Sequence, residues 1–339
     1  MRITYGPWGE TLAEMVDAGR RAEAAGAEVL WVPELHRSAT ISIAALAQAT
    51  TTAQVGTGIA LAFTRSPMVA ALEALDIDEL SGGRFILGLG TGVQRLNEDW
   101  HNARFGKPAP HLRETVRNLR EFWRCAKDGR TIDLDGEYEP MRLRGYQRPF
   151  FQVRDDIPIY LAAMGPIMTR LAGEIGQGWI SHELYSPGYL LDTTLPEIEK
   201  GLARSGRSRA DFDVVASALC AIDDDSHTAK RWMSGTVGFY ASVRTYADFW
   251  AQHGLAQEQQ AVVAAFRGGL AADDLGEAAP DHMVDAVTLS GTPDEVRAKL
   301  AGYEGRADSL KLSPPTHGVE AAITRLCQDR IIDLIAGLG

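Results

Sequence analysis

The chain has 339 residues, of which 45% are apolar, and this is ample for a globular core. The length fits either one large α/β barrel or two smaller domains. The formal net charge is −11. This charge argues against non-specific nucleic-acid binding, because such binding needs clustered Lys and Arg.

The cysteines and the N-terminal residues indicate the cellular compartment in which we expect the protein. Cys125, Cys220 and Cys327 are far apart, so they form none of the CxxC spacings of a zinc site or a c-type haem. A sparse, odd count is typical of the reducing cytoplasm. Residues 1–8 lack the apolar region of a signal peptide. No apolar run approaches the roughly 18 residues of a membrane span, so we expect a cytoplasmic protein without a membrane partner.

Short apolar strands alternate with amphipathic helices along the first part of the chain. In chain order the predicted elements are strand Ile3–Tyr5, helix Thr11–Ala25, strand Glu28–Val32, helix Ser42–Thr51, strand Gln54–Leu61, helix Pro67–Leu80 and strand Arg84–Gly90. This order predicts parallel strands joined by crossover helices.

A long helix then runs from His111 to about Lys127. Residues 128–156 are irregular, either as a linker between domains or as a loop at a barrel mouth. The alternation resumes with strand Pro158–Ala162, helix Ile167–Glu174, strand Gly178–Ser181, helix Leu190–Ser205, strand Phe212–Ile222, a mostly helical stretch 226–286, helix Thr292–Tyr303, strand Ser309–Leu312 and helix Val319–Ala336.

Eight strands in βα order, without a break in composition, predict a (β/α)8 TIM barrel rather than a doubly wound sheet. We expect a single domain over residues 1–339, with segments 128–156 and 223–286 as insertions or excursions. In such a barrel the functional residues follow the strands. Glu34 and His36 come directly after the second strand, where a carboxylate and an imidazole would face the barrel mouth; they could equally be ordinary charges of a solvated loop.

Glycines mark the ends of the third and fourth strands. Gly56 and Gly58 predict a bulge or a close ligand in the third. The fourth ends in Gly88, Gly90 and Gly92, but the residues that follow give no GxGxxG helix start and no ribose-binding acid at the expected distance. We therefore reject a dinucleotide-binding fold.

The fifth strand ends in small residues immediately before a helix, in the run Ala162-Ala163-Met164-Gly165-Pro166. Free backbone N–H groups at such a helix start can hold a phosphate, although tight strand–helix packing would use the same residues. Ser181 and His182 end the sixth strand, and in a barrel they could complete the same phosphate shell.

The remaining histidines and motifs limit the chemistry further. His101, His111 and His317 lie in predicted loops or at their edges. The sequence contains no HExxH, paired HxH or acidic cluster, so we expect no metal. It also lacks a GxSxG elbow and a P-loop.

Four segments together resemble the luciferase-like monooxygenase superfamily. They are Trp31–Glu34, Val55–Ile59, Asp78–Gly92, and Pro158–Pro166 with Leu171–Ile175. The last segment is most similar to members that use the deazaflavin coenzyme F420. Recognisable segments cover residues 1–205 and 287–325.

The resemblance implies a coenzyme ring across the barrel mouth and a homodimer. It implies a non-proline cis peptide bond at Gly58–Ile59 and a phosphate site at Met164 and Gly165 with Ser181 and His182. The expected coenzyme-binding residues are Glu34, Thr57, Gly58, Ile59, Gly90, Thr91, Gly92, Ala162, Ala163, Met164, Gly165, Pro166, Ser181 and His182.

The chain departs from its deazaflavin-dependent relatives at two points. Glu34 and Leu35 stand where many relatives have Asp-His, and Val93 stands where a dehydrogenase relative has glutamate. These differences argue against dehydrogenation of a sugar phosphate by the same machinery. The candidate catalytic proton carriers are Glu34, His36 and His101.

Three functions remain open at this point. The first is hydride transfer between F420 and a small, apolar or conjugated substrate, above which Trp8, Phe63, Trp100 and Tyr185 could line a pocket. The second is an FMN-dependent monooxygenase that uses O2 and a separate flavin reductase. The third is a coenzyme-binding barrel without turnover. A phosphosugar isomerase barrel is a weaker alternative, because no catalytic Lys or Glu stands clearly at its expected strand ends.

Overall fold

A computed structural model describes residues 1–338. The strands are β1 (Arg2–Tyr5), β2 (Val29–Val32), β3 (Gln54–Thr57), β4 (Ala60–Leu61), β5 (Phe85–Gly90), β6 (Ile132–Leu134), β7 (Met141–Leu143), β8 (Ile159–Ala162), β9 (Gly178–Ile180), β10 (Asp213–Ile222), β11 (Leu289–Gly291) and β12 (Ser309–Ser313).

The α-helices lie between these strands. They are α1 (Leu12–Ala24), α2 (Ala39–Ala49), α3 (Pro67–Leu80), α4 (Pro108–Ala126), α5 (Pro166–Ile175), α6 (Pro187–Tyr189), α7 (Leu195–Ser205), α8 (Ser226–Ser242), α9 (Ala247–Gln252), α10 (Ala256–Arg267), α11 (Asp281–Val287), α12 (Pro293–Ala301) and α13 (Ala321–Ala336).

The chain divides into two compact units. The first unit comprises Met1–Glu28, Ser181–Leu195 and Val215–Gly339. In it β12 pairs in parallel with β1 and with β10, so that Leu310 lies opposite both Ile3 and Ala216. Strand β11 extends this set in parallel with the end of β10.

The second unit comprises Val29–Ile180 and Pro196–Val214. Its parallel pairings join β2 to β3, β3 and β4 to β5, β5 to β8, and β8 to β9. All six residues of β5 are buried. Strands buried on both faces are typical of parallel sheets that are covered by helices.

Parallel strands with crossover helices in both units are those of a (β/α)8 barrel, so the predicted fold class is confirmed. The predicted third strand is interrupted after Thr57 and resumes as β4 at Ala60. Residues 128–156, which the sequence predicts to be irregular, contain the antiparallel hairpin β6–β7. Strand β11 is a second element that the sequence does not predict. The single-domain assignment stays a prediction.

The segment before β5 is fixed by the side chain of Arg84. Its guanidinium donates hydrogen bonds to the backbone oxygens of Ala47 and Thr50, at the carboxyl end of α2, and of Ala53 beyond it. The last carbonyls of a helix have no partner within the helix. Arg84 supplies those partners and so ties α2 to the start of β5.

We expect the change Arg84→Ala to lower the free energy of unfolding by about 2 kcal/mol, because it removes several hydrogen bonds from a charged donor to buried carbonyls. Urea unfolding measures this loss. Arg20, an exposed residue of α1, provides the control Arg20→Ala. Equal unfolding midpoints for the two variants would contradict the assignment.

Candidate active site

Glu34, at the end of β2, is held on all sides by protein groups. Its carboxylate accepts a hydrogen bond from the backbone N–H of Leu61 (2.9 Å) and is bound by both terminal nitrogens of Arg65. Its own N–H donates to the oxygen of Ile59 (2.9 Å). Burial alone would raise the pKa of Glu34, but the bonds from Arg65 and Leu61 outweigh burial and lower this pKa. Glu34 is therefore a fixed carboxylate.

Arg65 is shared between two carboxylates. Its Nε lies 3.2 Å from Glu73 of α3, while its terminal nitrogens bind Glu34. Burial raises the pKa of Glu73, and the charge of Glu34 adds to this effect against the attraction of Arg65. The pKa values of the two acids that share Arg65 are therefore shifted in opposite directions.

The junction of β3 and β4 contains a cis peptide bond at Gly58–Ile59, as the family resemblance implied. The N–H of Gly58 donates to the oxygen of Val32 (2.8 Å). The hydroxyl of Thr57 donates to the oxygen of Gly88 (2.7 Å) and accepts from its N–H (2.8 Å). Thr57 is fully buried, so its hydroxyl is already occupied by β5 and is not free for a coenzyme.

The glycines of β5 meet protein atoms. A Cβ on Gly88 would lie 1.8 Å from the oxygen of Thr57, and one on Gly90 would lie 2.8 Å from the side chain of Ile59. Both distances are far below van der Waals contact. Packing against the backbone of β3 is therefore sufficient to require glycine at position 88, whereas a side chain at position 90 would require the side chain of Ile59 to move.

Asn97 is a residue of this region that the sequence reading missed. It lies in the π-helical turn Leu96–Trp100, a conformation that is frequent at functional sites. Its side-chain amide is buried and donates to the oxygens of Thr91 (2.8 Å) and Val93 (3.0 Å). Asn97 thus fixes the backbone that follows β5. The local turn gives no period-based signal in the sequence.

The end of β8, where the sequence predicts an anion site, leads through Gly165 into the start of α5. Gly165 has φ +76°, and a Cβ placed on it would meet no atom of the described residues within 4 Å. Pro166 begins α5, and within residues 1–338 no side chain caps this helix start. The indole N–H of Trp179 donates to the oxygen of Ala163 (3.0 Å) and so fixes the backbone between β8 and α5. Gly165, Pro166 and Ile167 are exposed at this helix start, and the first N–H groups of a helix have no partner within the helix.

Ser181 and His182, in the first unit, already form hydrogen bonds with other protein groups. The Ser181 hydroxyl accepts from the N–H of Ser217 (2.6 Å) and donates to the oxygen of His182 (2.7 Å), so protein groups occupy it. Nδ1 of His182 accepts from the N–H of Leu184 (3.1 Å). Burial lowers the pKa of His182 to about 4. His182 is therefore neutral near pH 7, with its proton on Nε2.

A buried ion pair lies next to His182 in the chain. Lys311 of β12 is 3% exposed, and its ammonium lies 3.1 Å from the carboxylate of Glu183. Burial would raise the pKa of Glu183, but Lys311 lowers it. Sequence reasoning missed this pair. Its signal was a lysine inside a predicted buried strand, where a charge requires a partner.

The other predicted residues fall into two groups. Phe63 and Tyr185 are buried in protein contacts: the Phe63 ring stacks on His111 at 3.7 Å, and the Tyr185 hydroxyl bonds to Thr194 at 2.6 Å. These rings therefore have no free face for a substrate. His36, His101 and Trp100 are exposed side chains. Within residues 1–338, no helix is both long and apolar enough to cross a membrane.

Comparisons with known sequences give one family. A family model for luciferase-like monooxygenases matches residues 2–309. A putative coenzyme F420-dependent oxidoreductase of Mycobacterium tuberculosis is 33% identical over 321 residues, which are 89% of this chain and 91% of that protein. A 5,10-methylenetetrahydromethanopterin reductase of Archaeoglobus fulgidus is 30% identical over 291 residues, 82% of each chain.

Solved structures share the fold. The coenzyme F420-dependent tetrahydromethanopterin reductase of Methanopyrus kandleri has a TM-score of 0.78 at 22% identity and covers 99% of this chain and 98% of its own. The oxygenating constituent of a Baeyer–Villiger monooxygenase of Pseudomonas putida, solved with FMN, has a TM-score of 0.67 at 18% identity, with 99% and 98% covered. At these identities the likeness shows the fold.

We expect Glu34→Gln to lower the free energy of unfolding by about 2 kcal/mol at pH 7, because Arg65 loses its charged partner. The lowered pKa of Glu34 makes its stabilisation complete at neutral pH, and the stabilisation is lost as the pH falls through the folded-state pKa. The difference from the natural chain therefore shrinks below the ordinary Glu pKa of about 4.3. Urea unfolding at pH 7 and at acid pH measures it; a difference that does not change with pH would contradict the ion pair.

Proposed function

The chain belongs to the luciferase-like monooxygenase family, and we propose that it is an oxidoreductase that transfers a hydride between coenzyme F420 and a small, apolar or conjugated organic substrate. The observation that carries the proposal is the open, uncapped start of α5 behind Gly165. Such a helix start is suited to a coenzyme phosphate. The relative of Mycobacterium tuberculosis that is named for F420 favours that coenzyme over others.

The residues at the strand ends fit an extended phosphorylated coenzyme. The N–H groups that follow Pro166 would hold the phosphate, with Met164 and Gly165 beside it. The backbone at Gly58–Ile59 and at Thr91–Gly92 would contact the ring system. The hydroxyl of Thr57 is already hydrogen-bonded to β5, so in this proposal Thr57 contributes through its main chain. When bound, F420 supplies a hydride-carrying ring carbon.

We assign the role of proton carrier to a residue other than Glu34, the first candidate. Glu34 is ionised and bound to Arg65 and Leu61, so a proton on it would break the network that holds the β3–β4 junction. We assign Glu34 to positioning. His36 follows two residues later and is exposed, and an imidazole is the side chain that most often serves as a general acid or base in enzymes. His36 is our candidate proton carrier, and His101 is the second.

A titration of the purified protein with F420 and with FMN, followed by fluorescence, tests the coenzyme. We expect saturable F420 binding that is at least about tenfold weaker in Gly165→Asp, because the new carboxylate would repel a phosphate at the helix start. Gly206→Asp is the matched control, since Gly206 has a similar φ of +68° and equally open surroundings. Tight binding of FMN with no affinity for F420 would overturn the proposal.

A kinetic test decides between His36 and His101 as the proton carrier. We expect His36→Gln to lower kcat by about 100-fold, because general acid–base catalysis contributes at least that factor, while F420 affinity stays unchanged. The same change at His101 is the comparison. If His36→Gln keeps full kcat and His101→Gln loses it, the proton carrier is His101; if both keep it, neither histidine carries the proton.

The second candidate is an FMN-dependent monooxygenase supplied by a separate flavin reductase. The fold shared with the FMN-bound Baeyer–Villiger enzyme favours it. A flavin-bound protein would be yellow and would form an oxygen adduct after reduction. The homodimer also stays a proposal, and light scattering tests it, since the chain mass is 36.8 kDa.

A further inference from the structure

An open cleft of about 860 Å³ lies along one side of α10 in the first unit. Its walls include Arg267, Gln260 and Phe266 of α10 and Arg244 of the segment between α8 and α9. The volume is within the range of roughly 300–1,000 Å³ that is typical of small-molecule sites. None of the coenzyme-binding residues predicted from the sequence lines this cleft.

The charge of the cleft is opposite to that of the protein. Two arginines and no acidic residue line it, although the chain carries a net charge of −11. Arg244 and Arg267 are exposed. Within residues 1–338, neither guanidinium has an ion pair or a hydrogen bond. Arg65 and Arg84, in contrast, are fully engaged with protein acceptors.

The walls of the cleft are fixed by packing beneath it. Gln259 is 8% exposed, and its side-chain amide donates to the oxygen of Ala241 in α8 (3.2 Å). Val262, on the same helix, is fully buried. These contacts hold α10 against the end of α8. Phe266 remains 46% exposed and gives the cleft an apolar wall beside the arginines.

We propose that this cleft binds an organic anion in which two carboxylate or phosphate groups flank an apolar part. A guanidinium presents a planar fork of donors that matches either acid group with two hydrogen bonds. Two such forks and an aromatic wall suit a ligand with an acid group at each end. The absence of acidic lining residues removes the repulsion that the rest of the surface would exert. This proposal is independent of the coenzyme assignment.

The test uses naphthalene-2,6-dicarboxylate as the probe, with binding to the full chain measured by isothermal titration calorimetry. We expect one saturable site, and an affinity at least about tenfold weaker in Arg244→Gln and in Arg267→Gln, because each removes a charge-assisted pair. Arg20→Gln is the matched control, since Arg20 is an exposed arginine of the same unit, and it should bind like the natural chain.

Two further probes define the ligand. The neutral naphthalene-2,6-dimethanol should bind at least about tenfold more weakly, and Phe266→Ala should weaken the dicarboxylate without altering the melting temperature. The proposal is overturned by no saturable binding of the dicarboxylate, by equal affinity for the neutral probe, or by unchanged affinity in both arginine variants. The last result would place the probe at another site.

Discussion

The ion pair of Glu34 and Arg65 is the constraint on which the second unit's strand ends depend. Through the carboxylate of Glu34 it joins the segment after β2, the N–H of Leu61 at the end of β4 and the loop before α3. Two charges that are mostly removed from water persist only when their hydrogen bonds are well satisfied. The backbone around Gly58 and Ile59 is therefore held by a network in which each group needs the others. A coenzyme would meet a surface that is already formed.

Packing around the β3–β4 junction also explains Gly88 and Gly90 of β5, the fourth strand of the barrel. In the sequence, Gly88 and Gly90 look like clearance for a ligand. In the structure their missing Cβ atoms make room for Thr57 and Ile59. Gly165 at the start of α5 differs from them, because a Cβ on it would meet open space. Glycines that face protein and glycines that face a ligand have the same sequence signal, so only the fold separates them.

Periodicity along the chain was sufficient for the eight barrel strands, because each element depends mainly on its neighbours in sequence, but it did not predict the hairpin β6–β7 or β11. The pattern Gly56-Thr57-Gly58 also located the interruption of the third strand. The partners of Glu34 and Lys311 could not be predicted: Arg65 lies 31 residues from Glu34, and Glu183 lies 128 residues from Lys311. When its partners are unknown, Glu34 is interpreted as a proton carrier rather than as a residue that positions the backbone. Local sequence patterns thus identified candidate residues, whereas the structural role of each residue depended on partners far away in the sequence.

The acidic character of the chain sets how it can hold an anion. A surface with net charge −11 repels anionic ligands at long range, so any anion site must supply attraction locally. The two sites proposed above would solve this problem in different ways. At α5 the attraction comes from backbone dipoles and needs no basic side chain. At the α10 cleft it comes from Arg244 and Arg267, which carry full charges and face no acidic lining residue. The first suits a phosphate held by fixed backbone groups. The second suits an anion that exchanges with solvent, because exposed guanidinium groups remain hydrated until a ligand replaces the water.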